Sequence, residues 1–306
     1  MNSDFIAIKD LDVKDIESIF FLAKELKKDK SKYSDSLKGK SLGLIFQKPS
    51  NRTRVSFEVG IFQLGGKSIY LKPEDINLGV RESIGDVAKT LSRYLDGIIV
   101  RTFSNDLILE LAKYADIPVI NGLSDLLHPC QALSDLFTIS ERVAKLKSAT
   151  LAYIGDGNNV CHSLMYAVAK TGMNLNIATP KKYAPNKEIL EEALVIAKST
   201  GAKILLSNDA KVAVKNSDVV YTDVWTSMGK ENETWKRKFL FGKFQINKKL
   251  LSLAKPSVLV MHCLPAHRGQ EITDEVLDSQ DSIVFDQAEN RLHVQKAILL
   301  RLLGGK

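Results

Sequence analysis

Apolar residues at Val13, Ile16, Ile19, Phe20, Ala23 and Leu26 fall on one helical face. Asp12 stands where an N-cap belongs, so the pattern predicts a helix from about residue 13. Beyond it, short continuous apolar runs alternate with helical periodicity. The runs at 41–46, 68–71, 97–100 and 118–120 predict strands, with helices at 53–64, 83–95 and 106–115 between them. A helix at about 129–144 leads into a second series. Its predicted strands are 150–154, 175–178, 203–206, 218–221, 257–261 and 282–285, and a last helix at 287–303 closes the chain. Strands that are apolar throughout, separated by helices, imply parallel sheets covered on both faces. The expected fold is α/β with two domains, each a parallel sheet with helices on both faces. The segment Lys145-Leu146-Lys147-Ser148 is the expected boundary, giving domains at 1–145 and 146–286.

In open parallel sheets ligands gather at the C-terminal strand ends. The chemically distinctive residues of this chain follow such ends: Ser50 after the run ending at Phe46, Arg101 after Val100, Asn159 after Ile154, Asp223 after Tyr221, and Cys263 after Val260. Ser50-Asn51-Arg52-Thr53-Arg54 places hydroxyls and guanidinium groups at a predicted helix start, which suits a phosphate. The plainer alternative is a capping serine with surface arginines. His128-Pro129-Cys130-Gln131 offers an imidazole and an amide on one turn, which suits a small planar carbonyl. Asp223-Val224-Trp225-Thr226-Ser227-Met228-Gly229 ends an apolar run with a carboxylate, which suits an amine. Met261-His262-Cys263-Leu264-Pro265 adds a thiol that would otherwise be an inert core cysteine. Together these describe an acyl-phosphate site and an amine site.

Composition narrows the classes. The 306 residues suffice for two domains. No apolar run approaches the roughly 18 residues of a membrane helix, and Met1-Asn2-Ser3-Asp4 does not open a secretory leader. Three cysteines form no even-numbered framework, so a reduced, cytoplasmic protein is expected. The net charge of +7 is mostly scattered lysine such as Lys24, Lys27 and Lys28, without interleaved aromatics. That pattern favours small anionic ligands over nucleic acid. No cluster has metal-ligand spacing, and neither metal nor organic cofactor is expected. Gly155-Asp156-Gly157-Asn158-Asn159-Val160 is half a dinucleotide fingerprint. It lacks the third glycine, and the next strand ends without an acidic residue, which counts against a nicotinamide-dependent dehydrogenase. His162, His267 and His293 read as structural or surface residues.

The four motifs, in this order, resemble those of the ornithine carbamoyltransferase family, over nearly the whole chain. The family's Ser-Thr-Arg-Thr-Arg appears here with Asn51 in second place, while His-Pro-x-Gln, Asp-x-x-x-Ser-Met-Gly and His-Cys-Leu-Pro are intact. Aspartate carbamoyltransferases lack the Ser-Met-Gly loop and carry Pro in place of the Cys. The resemblance implies that Ser50, Asn51, Arg52, Thr53, Arg101, His128, Gln131, Cys263, Leu264 and Arg291 surround carbamoyl phosphate. It assigns Asn159, Asp223, Ser227 and Met228 to ornithine, and catalytic roles to Cys263, Arg101 and His128. Asn77 stands where many members place a Gln, in a loop that reaches a neighbouring subunit, which implies a homotrimer or a multiple of one. It further implies a final helix, 287–306, that returns to the first domain, and a place in arginine biosynthesis. A carbamoyltransferase for another amine, such as putrescine, is the alternative within the superfamily; putrescine has no α-carboxylate for the Ser227-Met228 backbone to hold. A binding module without activity would require a lost catalytic group, and the main ones are present.

Overall fold

The computed structural model describes residues 4–76, 78–226 and 231–304, and the side chains of Asp75 and Glu231 lie outside the description. The chain divides into two compact units. Residues 1–137 and 289–306 form the first, and residues 138–288 form the second.

The first unit is built on four parallel strands, β1 (Ser41–Phe46), β2 (Lys67–Leu71), β3 (Gly97–Arg101) and β4 (Val119–Leu123), in the order β2-β1-β3-β4. Its helices are α1 (Val13–Lys28), α2 (Arg52–Gln63), α3 (Pro73–Ile76), α4 (Ile84–Leu91), α5 (Asn105–Tyr114), most of α6 (Pro129–Ser140) and the later part of α13 (Val284–Leu303). The sequence pattern explains the starts. Asp12 accepts from the Asp15 N–H at 2.7 Å, and the Asp15 carboxylate accepts from the Asp12 N–H at 3.3 Å, which completes a capping box on α1. Continuous burial along β1 and β3 confirms strands covered on both faces. β4 runs three residues further than its apolar run. The polar Asn121 is tolerated there because its amide donates to the Ile6 carbonyl at 3.0 Å. β2 is an edge strand and is half-buried or exposed throughout.

The second unit carries five parallel strands, β5 (Thr150–Ile154), β6 (Asn174–Ala178), β7 (Ile204–Ser207), β8 (Val219–Thr222) and β9 (Leu259–His262), in the order β7-β6-β5-β8-β9. Around them run α7 (Asn159–Thr171), α8 (Lys187–Thr200), α9 (Ala210–Val214), α10 (Thr234–Phe241), α11 (Lys248–Leu251) and α12 (Asp274–Leu277). The expected strand at 282–285 does not form. Ser282 makes a single bridge to Val260, and α13 already begins at Val284. The bridge is held by Val260 N–H to the Asp281 carbonyl at 2.8 Å and Ile283 N–H to the Val260 carbonyl at 3.0 Å. Three apolar residues in a row could serve either element; Phe285 stays 74% exposed on the helix, where a covered strand would have buried it.

Candidate active site

In the first unit, the C-terminal ends of β1 and β3 and the starts of α2 and α6 gather cationic groups. Ser50 caps α2 from one residue outside its nominal cap: its Oγ accepts from the Thr53 N–H at 3.2 Å. Asn51 is exposed, lies in helical backbone and makes no capping bond with its side chain. Thr53 is buried, and its Oγ1 accepts from Arg101 Nη1 at 3.4 Å and from Arg291 Nη2 at 3.1 Å. Arg291 Nη1 also donates to the Gln131 side-chain oxygen, whose amide nitrogen donates to Asp135 at 2.8 Å. Arg101 Nε is buried with no hydrogen-bond partner among the described residues.

The electrostatics suit an anion. Burial lowers the Arg101 pKa to about 10, and the guanidinium groups of Arg291 and Arg52 add to the effect. Burial drives His128 well below the ordinary histidine value, assisted by Arg291, Arg101 and Arg52. Like charges this close to one another are unfavourable without an anion between them. His128 is therefore a neutral imidazole at physiological pH, seated just before Pro129, the first residue of α6. Arg54, the second arginine of its motif, is not part of this group. It pairs with Glu58 at 2.9 Å and lies over the Tyr70 ring at 3.6 Å, because two residues along α2 turn position 54 roughly 200° from Arg52. Cys130 is a core thiol: it donates to the Asn121 carbonyl, and burial pushes its pKa up to about 12.

In the second unit, Asp223 follows β8 and is buried. Its Oδ1 accepts from Cys263 Sγ at 2.9 Å and from the Val224 N–H at 2.7 Å, and its Oδ2 accepts from Asn158 Nδ2 at 2.7 Å. Thiol and carboxylate thus meet directly. Asn159, the first residue of α7, is half-buried. Its neighbour Asn158, which the sequence reading passed over, caps α7 through Oδ1 with the N–H groups of Val160 and Cys161 and holds Asp223 with its amide. The doublet of asparagines before a helical pattern was the available signal. Cys263 and Leu264 are set by His262, which is fully buried. The Leu264 N–H donates to His262 Nδ1 at 2.8 Å, so Nδ1 carries no proton and Nε2–H faces Glu271 at 3.2 Å. Leu264 has a φ of 57°, a left-handed backbone that a branched residue seldom adopts unless its surroundings impose it. Glu271 lies in no motif, and nothing in the sequence marks it.

Asn77, Ser227 and Met228 lie outside the described residues. His162 is structural, accepting from the Asn186 N–H at 2.9 Å; His293 faces Glu289 on α13, and His267 is exposed. Gly157 is explained by packing: a Cβ there would lie 2.2 Å from the Pro185 backbone nitrogen. The half-fingerprint therefore needs no nucleotide to account for it. Among the described residues, no group of three or more His, Cys, Asp or Glu side chains could hold a metal ion.

Two family models match the chain. One, described as the carbamoyl-P binding domain of aspartate/ornithine carbamoyltransferase, covers residues 3–141. The other, described as the Asp/Orn binding domain, covers residues 147–302. The ornithine carbamoyltransferase of Oceanobacillus iheyensis is 53% identical over 98% of this chain and 94% of its own. That of Thermococcus kodakarensis is 50% identical over 99% and 96%. The solved ornithine carbamoyltransferase of Pyrococcus furiosus superposes with a TM-score of 0.96 at 48% identity, covering 99% of this chain and 97% of that one. The chain belongs to the ornithine carbamoyltransferases of the aspartate/ornithine carbamoyltransferase family.

Proposed function

We propose that this protein transfers the carbamoyl group of carbamoyl phosphate to the δ-amine of L-ornithine, giving L-citrulline and phosphate. The contact between Cys263 and Asp223 carries the reading, since it sets a thiol and a carboxylate where an amino-acid amine would be held. The names of the relatives at about half identity support the same acceptor.

In this reading the first unit binds carbamoyl phosphate. Ser50, the backbone at Asn51, Arg52, Thr53 and Arg101 take the phosphate, which relieves the repulsion among the guanidinium groups. Arg101, neutral His128 and Thr53 donate to the carbamoyl oxygen. Negative charge grows there as the amine attacks, so donors already in place lower the barrier. Arg291 orients Gln131 toward the carbamoyl amide nitrogen. In the second unit, Asp223 pairs with the α-ammonium of ornithine, with Asn159 beside it. Cys263 orients the δ-amine or takes its proton, and the family resemblance adds Leu264 to the carbamoyl phosphate set. The family resemblance adds the Ser227 and Met228 loop and Asn77, all outside the described residues. Replacement of the ureido oxygen of citrulline by nitrogen yields a guanidino group, so the product suits arginine biosynthesis.

We further infer a homotrimer in the cytoplasm. α2 exposes Val55, Val59 and Phe62 on one face beside the edge strand β2, an apolar surface suited to a second copy of the chain. The three cysteines form no disulfide among the described residues, as in a reducing compartment, and no helix among the described residues is long and apolar enough to cross a membrane. Citrulline formation from carbamoyl phosphate and ornithine is the test. Its absence, with a folded protein and both substrates present, would refute the reading.

A further inference from the structure

Arg237, on α10, is 2% exposed, among the least exposed side chains of the second unit. On the sequence it sits between Lys236 and Lys238 and looks like one more solvated charge. Its guanidinium instead joins four separate stretches of chain. Nη1 donates to Asp156 Oδ2 at 2.6 Å and to the Trp225 carbonyl at 2.7 Å, and Nε donates to Glu233 Oε2 at 2.9 Å. The Tyr183 ring lies against its face at 4.4 Å.

Two of those partners flank the acceptor residues. Trp225 is two residues beyond Asp223. Asp156 is two residues before Asn158, and its carbonyl accepts from the Asn158 N–H at 2.8 Å and from the Tyr153 hydroxyl at 3.0 Å. The same Tyr153 hydroxyl reaches Asn158 Oδ1 at 3.2 Å. A continuous path therefore runs from Arg237 through Asp156 and Asn158 to Asp223 and Cys263, all inside one unit. A buried ion pair contributes little net stability compared with apolar packing in the same space. What a planar fork with several fixed acceptors does supply is position, and a lysine, with its single point of charge, could not hold all of them.

We propose that Arg237, paired with Asp156, is the positioning residue of the acceptor subsite: it holds the turn after β5 and the stretch after β8 in register, so that the Asn158 amide fixes the Asp223 carboxylate for an amino-acid amine. The proposal rests on the functional reading above. Arg237 touches no substrate in this account and acts through Asn158 and Asp223.

The test compares the parent enzyme with Arg237→Lys and Asp156→Asn, each checked for folding by circular dichroism, in a citrulline assay that varies one substrate at a time. Both variants should raise KM for ornithine by about tenfold or more while KM for carbamoyl phosphate stays within about twofold. A merely structural role would lower the yield of active enzyme and leave both KM values unchanged, and that result would overturn the proposal. So would a parallel loss for both substrates. Should the two variants fail to fold, Glu233→Gln keeps the Arg237–Asp156 pair and changes only a half-exposed partner. It should raise the ornithine KM by about threefold and leave carbamoyl phosphate alone; an unchanged ornithine KM would count against the proposal. If the parent itself makes no citrulline, the functional reading fails and this proposal falls with it.

Discussion

At the scale of single residues, hydrogen bonds between distant stretches of chain build the candidate site, as from Asn158 to Asp223. In the sequence, Arg101 and Cys263 stood out by type and by their place after strands, and His128 by its motif. Asn158 and Arg237 did not, because each acts by a hydrogen bond to a neighbour far along the chain, across 65 and 81 residues; Glu271, nine residues from His262, lies in no motif. Arg101→Ala should remove a donor that acts in both ground and transition states, so kcat should fall by about 10²–10³-fold and carbamoyl phosphate should bind more weakly. Steady-state kinetics with near-parent values would remove Arg101 from the site. His128 gives a pH signature in stability. Its folded value lies below that of the unfolded chain, about 6.5, so the unfolded state takes up the proton first and stability is lost as pH falls below about 6.5. Urea midpoints measured at about pH 7.5 and about pH 5 should drop more for the parent than for His128→Gln. Equal drops would mean that the imidazole is not held neutral.

At the scale of elements, strands read well where they are covered on both faces and poorly where they meet a helix start. The runs of β1, β3, β5 and β8 were legible as continuous apolar stretches. The run before α13 was not, since a short apolar segment fits a strand or the first turn of a helix equally well. Helix starts matter here because two of them serve as binding elements in the proposed reading. Asn158 both caps α7 and holds Asp223. Asn158→Ala should therefore cost about 0.5–2 kcal/mol of stability through the lost cap. It should also raise the ornithine KM with little effect on carbamoyl phosphate. Chemical denaturation and kinetics on the same preparation check both halves; a stability loss with an unchanged ornithine KM would reduce Asn158 to a cap alone.

At the scale of the whole molecule, the alternation of strands and helices announced two parallel sheets, and the structure contains them with four and five strands. Assembly was less legible. An exposed apolar face on α2 is visible only once the helix is placed, with Val55, Val59 and Phe62 left open on it. Sedimentation under assay conditions should show a trimer or a multiple of trimers, and a fully active monomer would contradict that inference. The most direct measurement of the acceptor is carbamoyl transfer from carbamoyl phosphate to ornithine, putrescine, lysine and aspartate, assayed side by side with the parent protein and with Cys263→Ser. The proposed acceptor chemistry requires turnover with ornithine far above the other three amines, and a large loss of ornithine turnover in the variant while carbamoyl phosphate still binds. Preferential turnover of putrescine or aspartate, or a Cys263→Ser enzyme that matches the parent on ornithine, would contradict it.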